Sequence, residues 1–163
     1  MAAQLTPIGA DALRAAKGHF ATGVTVVTAS GRDRHGSTVN AITSVSLDPP
    51  LLLVCLRSDS HTLAALLESG RFGVNVLHET QQAIARRFAR RGASWDGVGR
   101  HEGPLTGAPL IDGALATFEC AVHDVADGGD HQIVIGRVLA VCHPDEHAPP
   151  LLFYRGMFTR VSR

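Results

Sequence analysis

Hydrophobic and polar positions fall in short blocks along this chain, and most blocks have the length of a strand. Residues 23–29, Gly-Val-Thr-Val-Val-Thr-Ala, are rich in β-branched side chains and end at Ser30-Gly31, which predicts a strand followed by a turn. Extended structure resumes at 37–41 after the polar stretch 32–36, so the two segments make a hairpin. Residues 51–56 are apolar at every position, the pattern of a strand covered on both faces. Residues 72–77 alternate like a strand. Two more strands, 115–125 and 133–141, flank the turn Asp127-Gly128-Gly129-Asp130, and a short one near 151–154 precedes Phe158-Thr159. Helical spacing is confined to three segments. Residues 11–17 stop at Gly18, with Asp11 near the start and Arg14 and Lys17 toward the end. Residues 62–68 follow Ser58-Asp59-Ser60 and precede Ser69-Gly70, which is N-cap and C-cap chemistry. Residues 79–90 read as one amphipathic helix. The stretch 94–112 is rich in Gly and Pro and reads as a long loop, a kind of segment that is often functional. Strands dominate, connections are hairpin-like and no βαβ alternation occurs. The pattern predicts a mainly β, antiparallel barrel with a few short peripheral helices.

Composition narrows the picture. At 163 residues the chain reads as a single domain, 1–163, with its core at about 18–160. Fifteen basic and fifteen acidic side chains cancel, which argues against nucleic acid as a partner; the cluster Arg86-Arg87-Phe88-Ala89-Arg90-Arg91 is a short local exception. No apolar run is long enough to span a bilayer, and residues 1–18 lack the apolar core of a secretory signal, so a cytoplasmic protein with no membrane partner is expected. Cys55, Cys120 and Cys142 are an odd number without C-x-x-C spacing, and two of them lie in apolar runs as small hydrophobes.

Residues 38–50 stand apart from this background. Thr38, Asn40, Thr43, Ser44 and Ser46 place one amide and four hydroxyls within nine residues, among Ala41, Ile42 and Val45 and with no charge before Asp48. Buried polar groups need partners, so this is too polar for a plain core strand, and it is too uncharged for a surface loop. Neutral donors and acceptors beside a buried strand suit a large, flat, uncharged ring with many hydrogen-bonding edges, such as a flavin. For any single hydroxyl, satisfying nearby backbone is the simpler role.

Two further segments carry chemistry. Arg57-Ser58-Asp59-Ser60-His61-Thr62 joins the apolar strand to a helix start, whose free N–H groups and dipole, with Arg57, Ser60 and Thr62, make a phosphate seat. The same pattern describes an ordinary N-cap, and the sequence leaves the two readings open. Gly129-Asp130-His131 leads into an apolar strand, which sets His131 in a rigid position at a barrel mouth. His143-Pro144-Asp145-Glu146-His147 has histidines at metal-ligand spacing, but its prolines disfavour the helix that would bring them together, and a solvated loop is the expectation. Residues 97–103 miss the dinucleotide-binding glycine spacing and follow no strand.

Taken in order, these segments resemble the short-chain flavin reductase family, the flavin reductase-like split-barrel proteins. The resemblance is carried by Thr22-Gly23-Val24-Thr25-Val26-Val27-Thr28, by residues 40–51 with Ser44-Val45-Ser46-Leu47-Asp48-Pro49-Pro50, and by 69–77. Phe88-Ala89-Arg90, Gly113-Ala114-Leu115-Ala116 with Glu119-Cys120, and 129–138 complete it. It implies an antiparallel Greek-key split β-barrel, homodimeric, that reduces FAD or FMN with NADH or NADPH and passes diffusible reduced flavin to a separate monooxygenase. It further implies that Thr38, Asn40, Ala41, Ile42, Thr43, Ser44, Val45 and Ser46 line the flavin ring and that Cys55, Leu56 and Arg57 continue that wall. Ser60, His61 and Thr62 would hold ribityl or phosphate oxygens, Phe88 would pack nearby, His131 would sit at the nicotinamide, and Tyr154 would close the pocket. Ala41 stands where many relatives have Ser, and His61 occupies a varied position. The rival reading is a flavin- or haem-binding split-barrel module, a sensor or carrier without turnover.

Overall fold

The computed structural model describes residues 8–144 and 147–161. In chain order the elements are α1 (Ala10–Lys17), β1 (Thr22–Gly23), β2 (Thr25–Ser30), β3 (Arg34–Val39), β4 (Ile42–Leu47), β5 (Pro50–Arg57), α2 (His61–Ser69) and β6 (Arg71–Val76). A 3-10 turn, Glu79–Gln81, then precedes α3 (Gln82–Phe88), and β7 (Arg100–Glu102), β8 (Pro109–Ile111), β9 (Ala116–Gly128), β10 (His131–Cys142), β11 (Leu152–Tyr154) and β12 (Met157–Thr159) follow.

Seven strands form one antiparallel sheet in the order β3-β2-β6-β9-β10-β5-β4, and β3 and β5 approach each other as the sheet curls. This is an antiparallel Greek-key split barrel. Inside it, Val27, Val54, Leu56, Phe72, Val74, Cys120 and Val134 pack with Leu63 and Leu66 of α2. A second apolar layer, Val24, Val26, Leu77, Ala85, Phe88 and Ile111, lies on the other side of β2 and is closed by α3 and by Leu151. Within one copy the long strands covered on both faces are therefore β2, buried from Thr25 to Ala29, and β6, buried from Phe72 to Asn75, and not β5. In β5 burial alternates: Leu52, Val54 and Leu56 enter the core, while Leu51, Leu53 and Cys55 face outward and are half-buried. An all-apolar run gives no alternation to read, so the sequence pattern overstated the cover on β5.

Helix ends follow their chemistry. Ser60 caps α2 by accepting from the Leu63 N–H at 3.4 Å, and Gly70 ends it with φ +65°, a conformation glycine adopts without strain. The stretch 79–90 is shorter in helix than its spacing suggests. His78 caps the 3-10 turn, the Gln81 side chain accepts from the His78 N–H at 2.9 Å, and α3 begins only at Gln82. The long loop 94–112 contains the β7–β8 ribbon, which the sequence pattern missed because each strand is three residues long and set among Gly and Pro. Buried Asn75 holds that ribbon down. Its Oδ1 accepts from the Ile111 N–H at 2.7 Å and its Nδ2 donates to the Val26 carbonyl at 3.1 Å. No helix among the described residues is long and apolar enough to cross a membrane.

Candidate functional site

A cavity of about 530 Å³ opens where β3, the end of β5, the start of α2 and the end of α3 meet. Hydroxyl pairing joins two of its walls. Ser37 Oγ on β3 lies 2.8 Å from Thr62 Oγ1 and 3.3 Å from Ser60 Oγ at the head of α2. The first-turn N–H groups there have no intrahelical partners and carry the positive end of the helix dipole.

The β5–α2 corner is organised around one carboxylate. Asp59 accepts from Arg57 Nε at 3.0 Å and Nη2 at 3.2 Å, and Arg91, just beyond α3, reaches the same carboxylate at 3.0 Å while also donating to the Asp59 carbonyl. The hydrogen bond and charge of Arg57 hold the Asp59 carboxyl below its usual range, with Arg91 adding to the effect, and Asp59 in turn raises the Arg57 guanidinium. The Ser58 N–H donates to the Asp130 carbonyl at 3.0 Å, which ties this corner to the β9–β10 turn. His131 opens β10 directly opposite Arg57, and its Nδ1 lies 2.7 Å from Asp130 Oδ1. That hydrogen bond and the accompanying charge draw the Asp130 carboxyl below its usual range. A neutral His131 that donates from Nδ1 to Asp130 presents Nε2 as an acceptor.

An aromatic wall stands opposite. Phe88 is 2% exposed and packs 4.5 Å from the Trp95 ring; Trp95 Nε1 donates to the Arg34 carbonyl at 3.0 Å. Gly36 lets β3 pass close beneath, since a Cβ there would lie 2.8 Å from Phe88 Cδ1. Thr38 Oγ1 donates to the Ala85 carbonyl at 2.6 Å, so this hydroxyl braces α3 against β3.

Of the residues singled out in the sequence, Thr38, Asn40, Ala41, Cys55, Leu56, Arg57, Ser60, His61, Thr62, Phe88 and His131 line this one cavity. Ile42, Thr43, Ser44, Val45 and Ser46 do not. They run along β4 at the sheet edge, where Thr43, Ser44 and Val45 are exposed, Ser46 is partly exposed and Thr43 Oγ1 donates to the neighbouring Ser44 carbonyl. Tyr154 lies on β11, edge-on to His19 at 6.4 Å between ring centroids, and is also off the cavity wall. Lys17, His35, Gly36, Ser37, Val39, Asp59 and residues 89–93 complete the lining and were not singled out as site residues. The basic cluster at 86–91 was the available signal for part of this, because Arg90 and Arg91 both reach the cavity.

Four cations, Lys17, Arg57, Arg90 and Arg91, and one carboxylate, Asp59, line the space, so positive charge gathers here although the chain as a whole is formally neutral. Helix-start N–H groups, three hydroxyls and arginines fit a phosphate, and Val39, Ala41, Cys55, Leu56 and Phe88 give an apolar wall for a flat ring. Burial pushes the Cys55 thiol above its ordinary value, which makes it a wall and not a nucleophile. Among the described residues no group of three potential metal ligands assembles; Asp145 and Glu146 of the 143–147 motif lie outside those residues.

The chain matches the family model described as flavin reductase like domain over residues 17–162. It is 49% identical over 136 residues to a Rhizobium meliloti protein named "Probable flavin reductase", covering 79% of this chain and 42% of that longer one. It is 40% identical to the flavin-dependent monooxygenase reductase subunit HsaB of Rhodococcus jostii, covering 91% of this chain and 76% of that one. Among solved structures it superposes with a TM-score of 0.92 on the Streptomyces globisporus C-1027 NADH:FAD oxidoreductase SgcE6 in complex with NAD and FAD fragments, at 40% identity over 99% of this chain and 98% of that one. Fold, cavity and sequence agree: the chain belongs to the flavin reductase like domain family.

Proposed function

We propose that this chain is an NAD(P)H:flavin oxidoreductase, acting as a single domain over residues 1–163, that takes FMN or FAD as a diffusible substrate and supplies the reduced form to a separate flavin-dependent monooxygenase. The observation that carries this is the combined cavity, with its phosphate-binding corner on one side, apolar wall between, and His131 at the end of that wall. The solved relative that holds NAD and FAD fragments supports both substrates, and the relative named as a monooxygenase reductase subunit supports the partner. The same likenesses favour turnover over a sensor or haem-binding role.

The bound nicotinamide and flavin supply hydride transfer, and this chain's residues hold, orient and shield them. The α2 start with Ser60, His61 and Thr62 anchors the phosphate. Asn40 and Ala41, in the break between β3 and β4, meet the ring edge, and Cys55, Leu56 and Phe88 exclude water from its plane. His131, fixed by Asp130, accepts from the nicotinamide carboxamide through Nε2; it is a positioning group and not an essential base. Residues 42–46 and Tyr154 act at the rim, outside the cavity of a single copy. A second copy completes the assembly. Leu51, Leu53 and Cys55 of β5 with Ile133 and Ile135 of β10 form a half-buried apolar face, and Val45 and Leu47 extend it at the β4 edge. We place the protein in the cytoplasm, which supplies reduced nicotinamide and suits three free cysteines.

The test is aerobic oxidation of NADH or NADPH followed at the nicotinamide absorbance with FAD or FMN. Turnover far above the no-flavin rate is expected in at least one of the four combinations, and none in any overturns the assignment. Slow oxidation with tightly copurifying flavin would point to a carrier. Gel filtration is expected to show a dimer at micromolar concentration.

A further inference from the structure

Two of the three cavity arginines, Arg57 and Arg91, already share a partner. Asp59 takes two hydrogen bonds from Arg57, at 3.0 and 3.2 Å, and a third contact from Arg91 at 3.0 Å. A phosphate at the head of α2 would call on those same guanidinium groups, because a fork of N–H donors fits phosphate and carboxylate equally well. Asp59 itself lines the cavity, so an arriving phosphate meets its negative charge as well. Asp59 is also fixed in place, since its carbonyl accepts from Arg91 and the preceding Ser58 N–H is bonded to the Asp130 carbonyl. Lys17 and Arg90 are the lining cations outside this arrangement.

We propose that Asp59 weakens the flavin's phosphate grip by competing for Arg57 and Arg91, and so keeps the flavin a substrate that leaves after reduction. The proposal rests on the flavin reading above and adds to it how release is built into the site. A reductase that hands its product to another protein gains nothing from an unopposed cluster of four cations around a dianion. With Asp59 in place the phosphate exchanges one set of ion pairs for another, and the net gain is small. The side chains involved are between half and two-thirds exposed, so solvent already screens each pair and the competition is modest.

Intrinsic flavin fluorescence, titrated at fixed ionic strength, tests this with FMN and with riboflavin, which lacks the phosphate. Asp59→Asn is expected to bind FMN about 5-fold more tightly than wild type, with riboflavin affinity unchanged. The slope of log affinity against log salt for FMN should steepen in the variant, as two freed arginines meet the phosphate. Asp59→Glu, which keeps the carboxylate, should return FMN affinity toward wild type. If Asp59→Asn binds FMN equally or more weakly, Asp59 aims the arginines at the phosphate and the proposal falls. A riboflavin shift by the same factor as FMN also overturns it, because the effect would then be on the pocket and not on the phosphate. Failure of wild type and variant alike to bind either FMN or FAD would sink the flavin reading itself, an outcome distinct from flavin binding that Asp59→Asn leaves unchanged, which sinks this proposal alone.

Discussion

The approach of β3 to the Phe88 ring can be tested by filling it. In Gly36→Ala the added methyl lies 2.8 and 3.0 Å from Phe88 Cδ1 and Cε1 and 3.3 Å from Trp95 Cζ2, all well inside van der Waals contact. Phe88 has no room to retreat, because Val26, Ala85, Val98 and Ile111 pack in the layer behind it. Overpacking of this kind costs about 2 kcal/mol. For a chain of this length that lowers Tm by roughly 4–8 °C. The ring yields toward the cavity that both residues line, so KM for flavin should rise several-fold with kcat little changed. Phe88→Leu alone removes ring atoms from a filled layer at a cost of about 1–2 kcal/mol. In the double variant the shorter side chain vacates the space that the methyl needs. The two changes should therefore be less than additive by about 1 kcal/mol or more, a coupling measurable by thermal or urea unfolding. Strict additivity, or a Gly36→Ala variant with wild-type Tm and flavin KM, would refute the idea that close packing of β3 on Phe88 shapes this wall.

Other expectations follow from burial and charge. With a thiol reagent at pH 8, exposed Cys142 should react first and half-buried Cys55 more slowly, with Cys55 protected by added FMN; Cys120, buried and with its thiol pushed up to about 12, should react only on unfolding. Asn75→Leu should cost about 3 kcal/mol in urea unfolding, because it strands the Ile111 N–H and the Val26 carbonyl in a dry interior, whereas an unchanged midpoint would mean the ribbon is held otherwise. Asp59 has its carboxyl drawn below its usual range, chiefly by Arg57, so its pairing contributes above about pH 3.9 and is lost only as pH falls through the lowered folded value. Tm should therefore be insensitive to this group between pH 5 and 8, and the Asp59→Asn curve should converge on wild type only below about pH 4. Convergence already at pH 6 would show that another group controls the acid limb.

The strands and helix ends were legible in the sequence wherever one residue type does one physical job. Ser60 caps because its oxygen reaches Leu63 N–H, Gly70 stops α2 because its φ is positive, and most of 23–29 falls in the strand Thr25–Ser30 because β-branched residues pack in a sheet, although Gly23 pairs in a separate short strand. Residues 38–41, 55–57, 60–62 and 131 come together around one cavity, since β5 and β10 pair from Arg57–His131 onward and β3 lies against α2. The hydroxyls of 43–46 lie outside that cavity in a single copy. Polar composition marks both a ligand wall and an exposed edge strand, and here Ser44 pairs across from Leu52 and Ser46 from Leu51 on the outermost strand of the sheet. Of the cavity cations only Arg57 was legible as a site residue; Lys17, Arg90 and Arg91 were not. Lys17 lies at the end of α1, Arg57 at the end of β5, and Arg90 and Arg91 beyond α3, so no local window shows that they converge on one cavity.

That convergence also explains the balance of the site. Each cation sits where an element ends, and helix C-termini favour basic residues whatever the protein does, so Lys17 and Arg90 have a local reason to be there. Arg57 and Arg91 are different, because their shared partner Asp59 comes from the turn between Arg57 and the α2 cap, and Arg91 reaches it from beyond α3. A purely structural ion pair would need one arginine. Two arginines on one half-exposed carboxylate at a helix start leave donor capacity in surplus, and that surplus faces the cavity where a phosphate fits. In the proposed site Arg57 and Arg91 thus hold the flavin phosphate while Asp59 limits how firmly it is held.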